Sequence, residues 1–252
     1  MLKNRLIPCL LLKEGRCVKT VQFGEMRDTG SPVTAARVYD AQQADELIFL
    51  DINASKEGRS SLLDVVGRVA EECFMPLTAG GGIHTLQHIR DLLKVGADKV
   101  AVNTAAVERP DFINEAADRF GNQCIIIAID VKKEQEKYTV YTHSGTQRTE
   151  LDVIAWAREA ERRGAGELLI NSIDRDGMMK GYDIPLIHAV TQAVSIPVIA
   201  LGGVGTLADL AAGLRDGKAS AVAAASIFHF GTYSITDVQN ALREAGLPAR
   251  QT

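Results

Sequence analysis

The chain has 252 residues, a formal net charge of -4, 46% hydrophobic residues and 24% charged ones. That composition describes a soluble globular protein with a sizeable core. No long basic run is present, which argues against a nucleic-acid partner, and no apolar stretch reaches the roughly 18 residues a membrane helix needs.

In chain order, short apolar or β-branched runs alternate with helix-period segments. The runs predict strands at Arg5–Leu11, Glu46–Asp51, Met75–Ala79, Lys99–Val102, Cys124–Asp130, Glu167–Asn171, Val198–Leu201 and Ala221–Ala225. Between them "SLLDVVGRVAEEC", "TLQHIRDLLKVG", "LDVIAWAREAERRG" and "TLADLAAGLRDG" read as helices, several closing on glycine. Strands joined by helical crossovers predict a parallel sheet. At this length the expected α/β architecture is a (β/α)8 TIM barrel, with 1–252 as a single domain. An open doubly wound sheet would call for a G-x-G-x-x-G first turn, which is absent. The opening "MLKNRLIPCLLL" lacks a small-residue cleavage site, so no signal peptide is expected and the expected location is cytoplasmic. Cys9, Cys17, Cys73 and Cys124 form no C-x-x-C pair and read as reduced core thiols.

The chain repeats itself. "TAGGGIHTL" (78–86) matches "IALGGVGTL" (199–207) at an offset of 121, and "KVAVNTAAV" resembles "AVAAASIF". "CLLLK" aligns with "AIDVK" at an offset of 119, placing Leu11 over Asp130. Two halves of four strands predict a barrel with an internal half-barrel repeat. Alternation along the strands turns Arg5, Ile7, Cys9 and Leu11 to one side, and Cys124, Ile126, Ala128 and Asp130 likewise. Leu11 and Asp130 are thus twofold mates at the C-terminal mouth, where barrel chemistry sits.

"GGGI" (80–83) and "GGVG" (202–205) each follow a strand and precede a helix, a pattern suited to an anion. Asn103, Thr104 and Ser226 add amide or hydroxyl donors after strands 4 and 8. The repeat therefore suggests a ligand with a phosphate at each end, although turn glycines alone would explain each motif. "NSIDRDGMMKGYD" crowds Asp174, Arg175 and Asp176 into one turn, either a closed turn or a charged piece near Asp130. At the opposite end, Arg5, Glu46, Lys99 and Glu167 open four strands and can pair completely, as a structural plug or as a gate. His84 and His88 stand four apart without a third acidic ligand and read as a surface pair, so no metal is expected. No cofactor is implied.

These motifs, with "ADELIFLDI", "GADKVAVNTAAV", "EAADRFGNQCIIIAID", "SIDRDG", "GYD" and "AASIFHFGTYSI", carry a resemblance. From "RLIPCL" to "GLPAR" the chain resembles the cyclase (synthase) subunit of imidazole glycerol phosphate synthase, from histidine biosynthesis. The resemblance implies a half-repeated barrel that binds a bis-phosphorylated substrate across its top. It implies a lyase-type, ammonia-dependent cyclisation and a glutaminase subunit docked at the N-terminal face as a heterodimer, sending ammonia through the barrel. It implies catalytic roles for Asp130 and, in support, Asp176. Lys19, Gly82, Asn103 and Thr104 would hold one phosphate; Gly177, Gly203, Ala225 and Ser226 would hold the other. Arg5, Glu46, Lys99 and Glu167 match the family's ammonia gate.

The chain also departs from the family. Leu11 stands where its other catalytic aspartate belongs, and leucine cannot transfer a proton. Asn171 and Leu201 replace small hydroxyl residues, Met178 replaces a threonine and Thr20 a glycine. A paralogue group with "LLLK" and "NSIDRDG" works with a glutaminase in making amidino sugars for surface polysaccharide, including lipopolysaccharide. The expectation is an ammonia-accepting synthase half of that type, acting on a phosphorylated small molecule. The alternatives are the genuine cyclase and a ligand-binding barrel that only activates a glutaminase.

Overall fold

A computed structural model gives the structure of the protein and describes residues 4–24, 26–52, 63–229 and 231–250. Among the described residues the first half contains strands β1 (Arg5–Lys13), β2 (Arg16–Thr20), β3 (Met26–Gly30), β4 (Leu47–Asp51), β5 (Leu77–Gly80) and β6 (Lys99–Val102). Its helices are α1 (Pro32–Ala41), α2 (Leu63–Ala70), α3 (Leu86–Lys94), α4 (Thr104–Glu108) and α5 (Asp111–Phe120). The second half contains β7 (Ile125–Glu134), β8 (Lys137–Thr142), β9 (Gln147–Asp152), β10 (Glu167–Ser172), β11 (Val198–Leu201) and β12 (Ala221–Ala224). Its helices are α6 (Val153–Arg162), α7 (Ile184–Ala193), α8 (Leu207–Arg215), α9 (Ser226–His229) and α10 (Ile235–Glu244).

Eight strands close in the order β10-β11-β12-β1-β4-β5-β6-β7, and β7 pairs back onto β10. All eight barrel pairings are parallel. The protein is a (β/α)8 barrel. Closure removes every free edge from the barrel, and the helices bury their apolar faces on its outside in one large cluster that includes Phe49, Phe112 and Trp156.

The eight predicted strands all form, with shifted ends. Strand 2 starts one residue after Glu46, and strand 3 starts at Leu77, because Pro76 has no N–H to give to a ladder. Cys124 lies in a 3-10 turn, Asn122–Cys124, ahead of β7 rather than in the strand. All four cysteines are free. The helix expected from Leu151 begins at Val153, since Asp152 caps it through the amides of Ile154 and Ala155. Gly96 and Gly164 take the positive φ that ends α3 and α6, but after α8 that role falls to Lys218, not Gly217. Residues 61 and 62 of the first predicted helix lie outside the described residues.

Four strands went unpredicted. β1 runs past the mouth into the antiparallel partners β2 and β3, and β7 runs into β8 and β9. The two hairpins occupy equivalent places in the repeat, so each half opens with a strand that projects an antiparallel flap. Their turns carry the positive φ of tight hairpins at Glu14 and Gly15 and at Gln135.

Gly81 shows how tightly the mouth is built. Its φ is +101°, and a Cβ there would collide with the Asp51 carbonyl. We expect Gly81→Ala to cost roughly 2–4 kcal/mol, measured by denaturant unfolding.

Candidate active site at the barrel mouth

Inward-facing side chains stack in layers along the barrel axis. At the floor Arg5 donates to Glu46 at 2.7 Å and to both oxygens of Glu167, at 2.7 and 3.2 Å. Lys99 donates to Glu46 at 3.1 and 3.2 Å and to Glu167 at 2.6 Å. The four predicted floor residues therefore form one closed ring, each cation bridging both carboxylates. Burial pushes the Glu167 carboxyl up, but Arg5 and Lys99 outweigh it and hold the group below its ordinary range. Above the ring lies an apolar layer of Ile7, Ile48, Ala101, Ile126, Leu169 and Ile199. Glu167 and Asn171 share one parity on β10, so floor and mouth are separated by about 13 Å along the strand at a rise near 3.3 Å per residue.

The mouth opens into a cavity of about 290 Å³. Asp130 lines it, half-buried at the end of the inward face of β7. Asn103 Nδ2 donates to one carboxylate oxygen at 2.9 Å and Asn171 Nδ2 to the other at 3.3 Å. Burial raises the Asp130 carboxyl to about 6 against the lowering effect of these two amides, and the charge of Asp176 adds to the rise. A carboxyl that titrates there can take or give a proton near neutral pH.

Asp176 is held otherwise. Lys19 Nζ reaches its Oδ1 at 3.1 Å and Thr20 Oγ1 donates to its Oδ2 at 3.0 Å, all three side chains being buried. The amide of Gln22 donates to the Asp176 carbonyl at 2.8 Å, and Asp174 accepts from the Lys133 amide at 2.8 Å. The crowded turn after β10 is thus a clasp that joins both flaps over the mouth. Thr20, a departure from the family pattern, supplies one of its bonds.

Of the residues expected around one phosphate, Lys19, Gly82, Asn103 and Thr104 all line the cavity. Lys19 is engaged by Asp176, Asn103 by Asp130, and Thr104 Oγ1 accepts from the His143 amide at 3.1 Å. Of the other set, Ala225 lines the cavity, whereas Gly177, Gly203 and Ser226 lie outside its walls among the described residues. Gly177 packs on the Thr20 carbonyl, the Gly203 carbonyl accepts from Gly181 N, and Ser226 opens the short α9. The cavity is therefore lopsided, opening onto the half that carries GGGI.

Leu11 also lines it, with Leu50 and Leu201. Thr20, Asn171 and Leu201 join Leu11 there, so four of the five departures from the family pattern share one cavity; Met178 does not. The repeat alignment found Leu11, but His84, His143, Ser144, Thr146 and Phe23 were missed as wall residues. Apart from His84, which lies in the repeat motif TAGGGIHTL, no motif marks them. The turn between β8 and β9 and the flap from β1 carry most of them in, and neither hairpin was predicted. His84 and His88 stack edge to face at 4.4 Å, and both Nδ1 atoms meet the Gly82 carbonyl, at 2.8 and 3.2 Å. Among the described residues no group of three or more His, Cys, Asp or Glu side chains has the arrangement of a metal site. Nor is any described helix long and apolar enough to cross a membrane.

A family model described as "Histidine biosynthesis protein" matches residues 5–234, nearly the whole chain, and the chain belongs to that family of cyclase-like barrels.

Proposed function

We propose that this member of the histidine biosynthesis family is the ammonia-accepting half of a glutamine-dependent synthase whose substrate is a phosphorylated sugar-type molecule, as in amidino-sugar formation for surface polysaccharide. Family membership supports a barrel enzyme of this general chemistry. The observation that carries the finer reading is the convergence of Leu11, Thr20, Asn171 and Leu201 on the cavity of Asp130. Substitutions scattered by drift would not gather on one cavity. Together they replace a two-carboxylate centre by one carboxylate facing leucines, which alters both proton transfer and substrate fit.

In this reading Asp130 is the acid/base group and Asp176 holds the flaps over the substrate. The floor ring is kept as the entry for ammonia from a glutaminase on the N-terminal face. The apolar layer between ring and mouth suits a neutral NH3 rather than an ammonium ion, because a charge there would lose its hydration without a partner.

The test is turnover of the histidine-pathway bis-phosphate with saturating ammonium salt, for the protein and for Leu11→Asp. We expect no turnover by the unmodified protein and a measurable rate in Leu11→Asp, since a positioned acid/base is worth ~10²–10⁴ in rate. Turnover by the unmodified protein at the rate of a genuine cyclase would sink the sugar reading. Silence from both would direct the assay to phosphorylated and nucleotide-linked sugars.

A further inference from the structure

Lys19 and Thr20 are consecutive in β2, yet both reach one carboxylate. Lys19 Nζ donates to Asp176 Oδ1 at 3.1 Å and Thr20 Oγ1 to Oδ2 at 3.0 Å. Successive side chains of a straight strand point to opposite faces, so the chain must bend where β2 ends. It bends at Gln22 and Phe23, which take φ of +47° and +61° without being glycine. Backbone of this kind is strained and persists only where its surroundings over-determine it. The Gln22 amide donates to the Asp176 carbonyl at 2.8 Å, and Gln22 Nε2 donates to the Asp174 carbonyl at 3.1 Å. Gly177 packs so close that a Cβ would lie 2.5 Å from the Thr20 carbonyl oxygen and 2.8 Å from Val21 Cα. The bend carries Phe23 to the second flap, where a Cβ on Gly145 would lie 2.5 Å from its ring.

Every bond of this clasp joins the chain's own groups. Lys19, Thr20 and Asp176 are buried, at 5%, 2% and 7% exposure. An ion pair away from water holds firmly only when the remaining lone pairs of its carboxylate are satisfied too. Lys19 meets one oxygen of Asp176 from a long, flexible stem, and Thr20 is the donor to the other. Threonine is stiff at χ1, so it fixes a carboxylate that a lysine alone would let swing. Glycine, the residue of the family pattern at this position, would leave Oδ2 without that donor. We infer that Thr20 is a positioning residue: by holding Asp176 it bolts the first flap over the mouth before any ligand arrives, and it commits Lys19 to Asp176 instead of to a ligand anion. A flap that closed on its ligand would need the lysine free. The inference goes beyond the proposed function and does not depend on which substrate the cavity takes.

The experiment is hydrogen–deuterium exchange of the full chain, read by NMR at the Gln22 amide. That amide is expected to be protected by its bond to the Asp176 carbonyl. Added inorganic phosphate is expected to leave its rate unchanged, because the flap is already shut. Thr20→Val keeps the shape of the side chain and loses the hydroxyl. It should speed exchange at Gln22 roughly tenfold, the worth of one hydrogen bond to a charged group. The Ile170 amide, inside barrel strand β10, should keep its rate and so report an intact fold. Thr20→Ser restores a hydroxyl and should return exchange at Gln22 to near its starting rate. An unprotected Gln22 amide, or one that phosphate slows markedly, overturns the inference with the unmodified protein alone. Equal rates in Thr20→Val and the unmodified protein overturn it as well, since the hydroxyl would then hold nothing. Failure of serine to rescue would assign the effect to packing and remove the positioning role.

Discussion

Asp130→Asn is expected to lower turnover by ~10²–10⁴ and to make the folded protein more stable above neutral pH. Both effects have one origin, a carboxyl at the mouth of the barrel with two amide donors and no cation. Burial raises it to about 6, so the ionised form that the proposed base role requires dominates only above that pH. Turnover should therefore rise with pH through a limb near 6, and the limb should vanish in Asp130→Asn. For stability the sign follows from proton binding. The folded state holds this proton more tightly than the unfolded state, so folding is favoured at low pH and loses that advantage as pH rises from about 4 through 6. At pH 8 the unmodified protein carries the full penalty, about 2 kcal/mol after allowance for the partial exposure of the side chain. Asparagine removes it. Asn171 can then turn its unpartnered Oδ1 toward the new amide, so no bond need be lost. Urea unfolding of the two proteins at pH 4 and pH 8 decides the matter. The gap should be small at pH 4 and open at pH 8; a constant gap would mean that Asp130 is not strained by burial.

Breaking the floor ring should carry the largest cost in stability. Lys99→Met leaves Glu46 and Glu167 with Arg5 alone, a net negative charge in a site where both glutamates are buried. Removing one partner from a buried ionic set costs about 3–5 kcal/mol, and the partial exposure of Arg5 places our expectation near 3. Removing Glu167 as well, in Lys99→Met/Glu167→Leu, restores a neutral Arg5–Glu46 pair. The double variant should cost less than the sum of the single costs by about 1–3 kcal/mol. Glu167 adds a pH signature. Its carboxyl is lowered, so its contribution is complete above the ordinary carboxylate value of about 4.3 and is lost as pH falls through the lowered one. If the ring is also the ammonia entry, Lys99→Met should impair glutamine-driven turnover while ammonium-driven turnover survives. Equal loss of both would make the ring a structural plug.

Much of this was legible in the chain. The strand and helix periodicities, the absent dinucleotide turn and the half-length repeat together pointed to a barrel. Parity along the strands placed Arg5, Glu46, Lys99 and Glu167 in one layer and Leu11 and Asp130 at the mouth, because a strand has only two faces and a closed barrel gives each a fixed side. Those inferences are local, and the local geometry of a strand leaves little freedom. What the sequence could not determine depends on where long-range segments come to rest. Lys19 has the chemistry of a phosphate ligand, yet it sits against Asp176, 157 positions away, because the flap from β1 folds onto the turn after β10. Asn103 likewise serves Asp130. The hairpins that bring His143 and Phe23 to the cavity follow no repeat glycine motif. Gly203 carries the same motif as Gly82 but is packed under the Gly181 segment rather than on the cavity wall. The repeat predicted two equivalent glycine loops, and the tertiary structure sets Gly82 and not Gly203 on the wall of the Asp130 cavity: equivalent loops share a pattern, but only packing against the rest of the chain decides which of them faces that cavity.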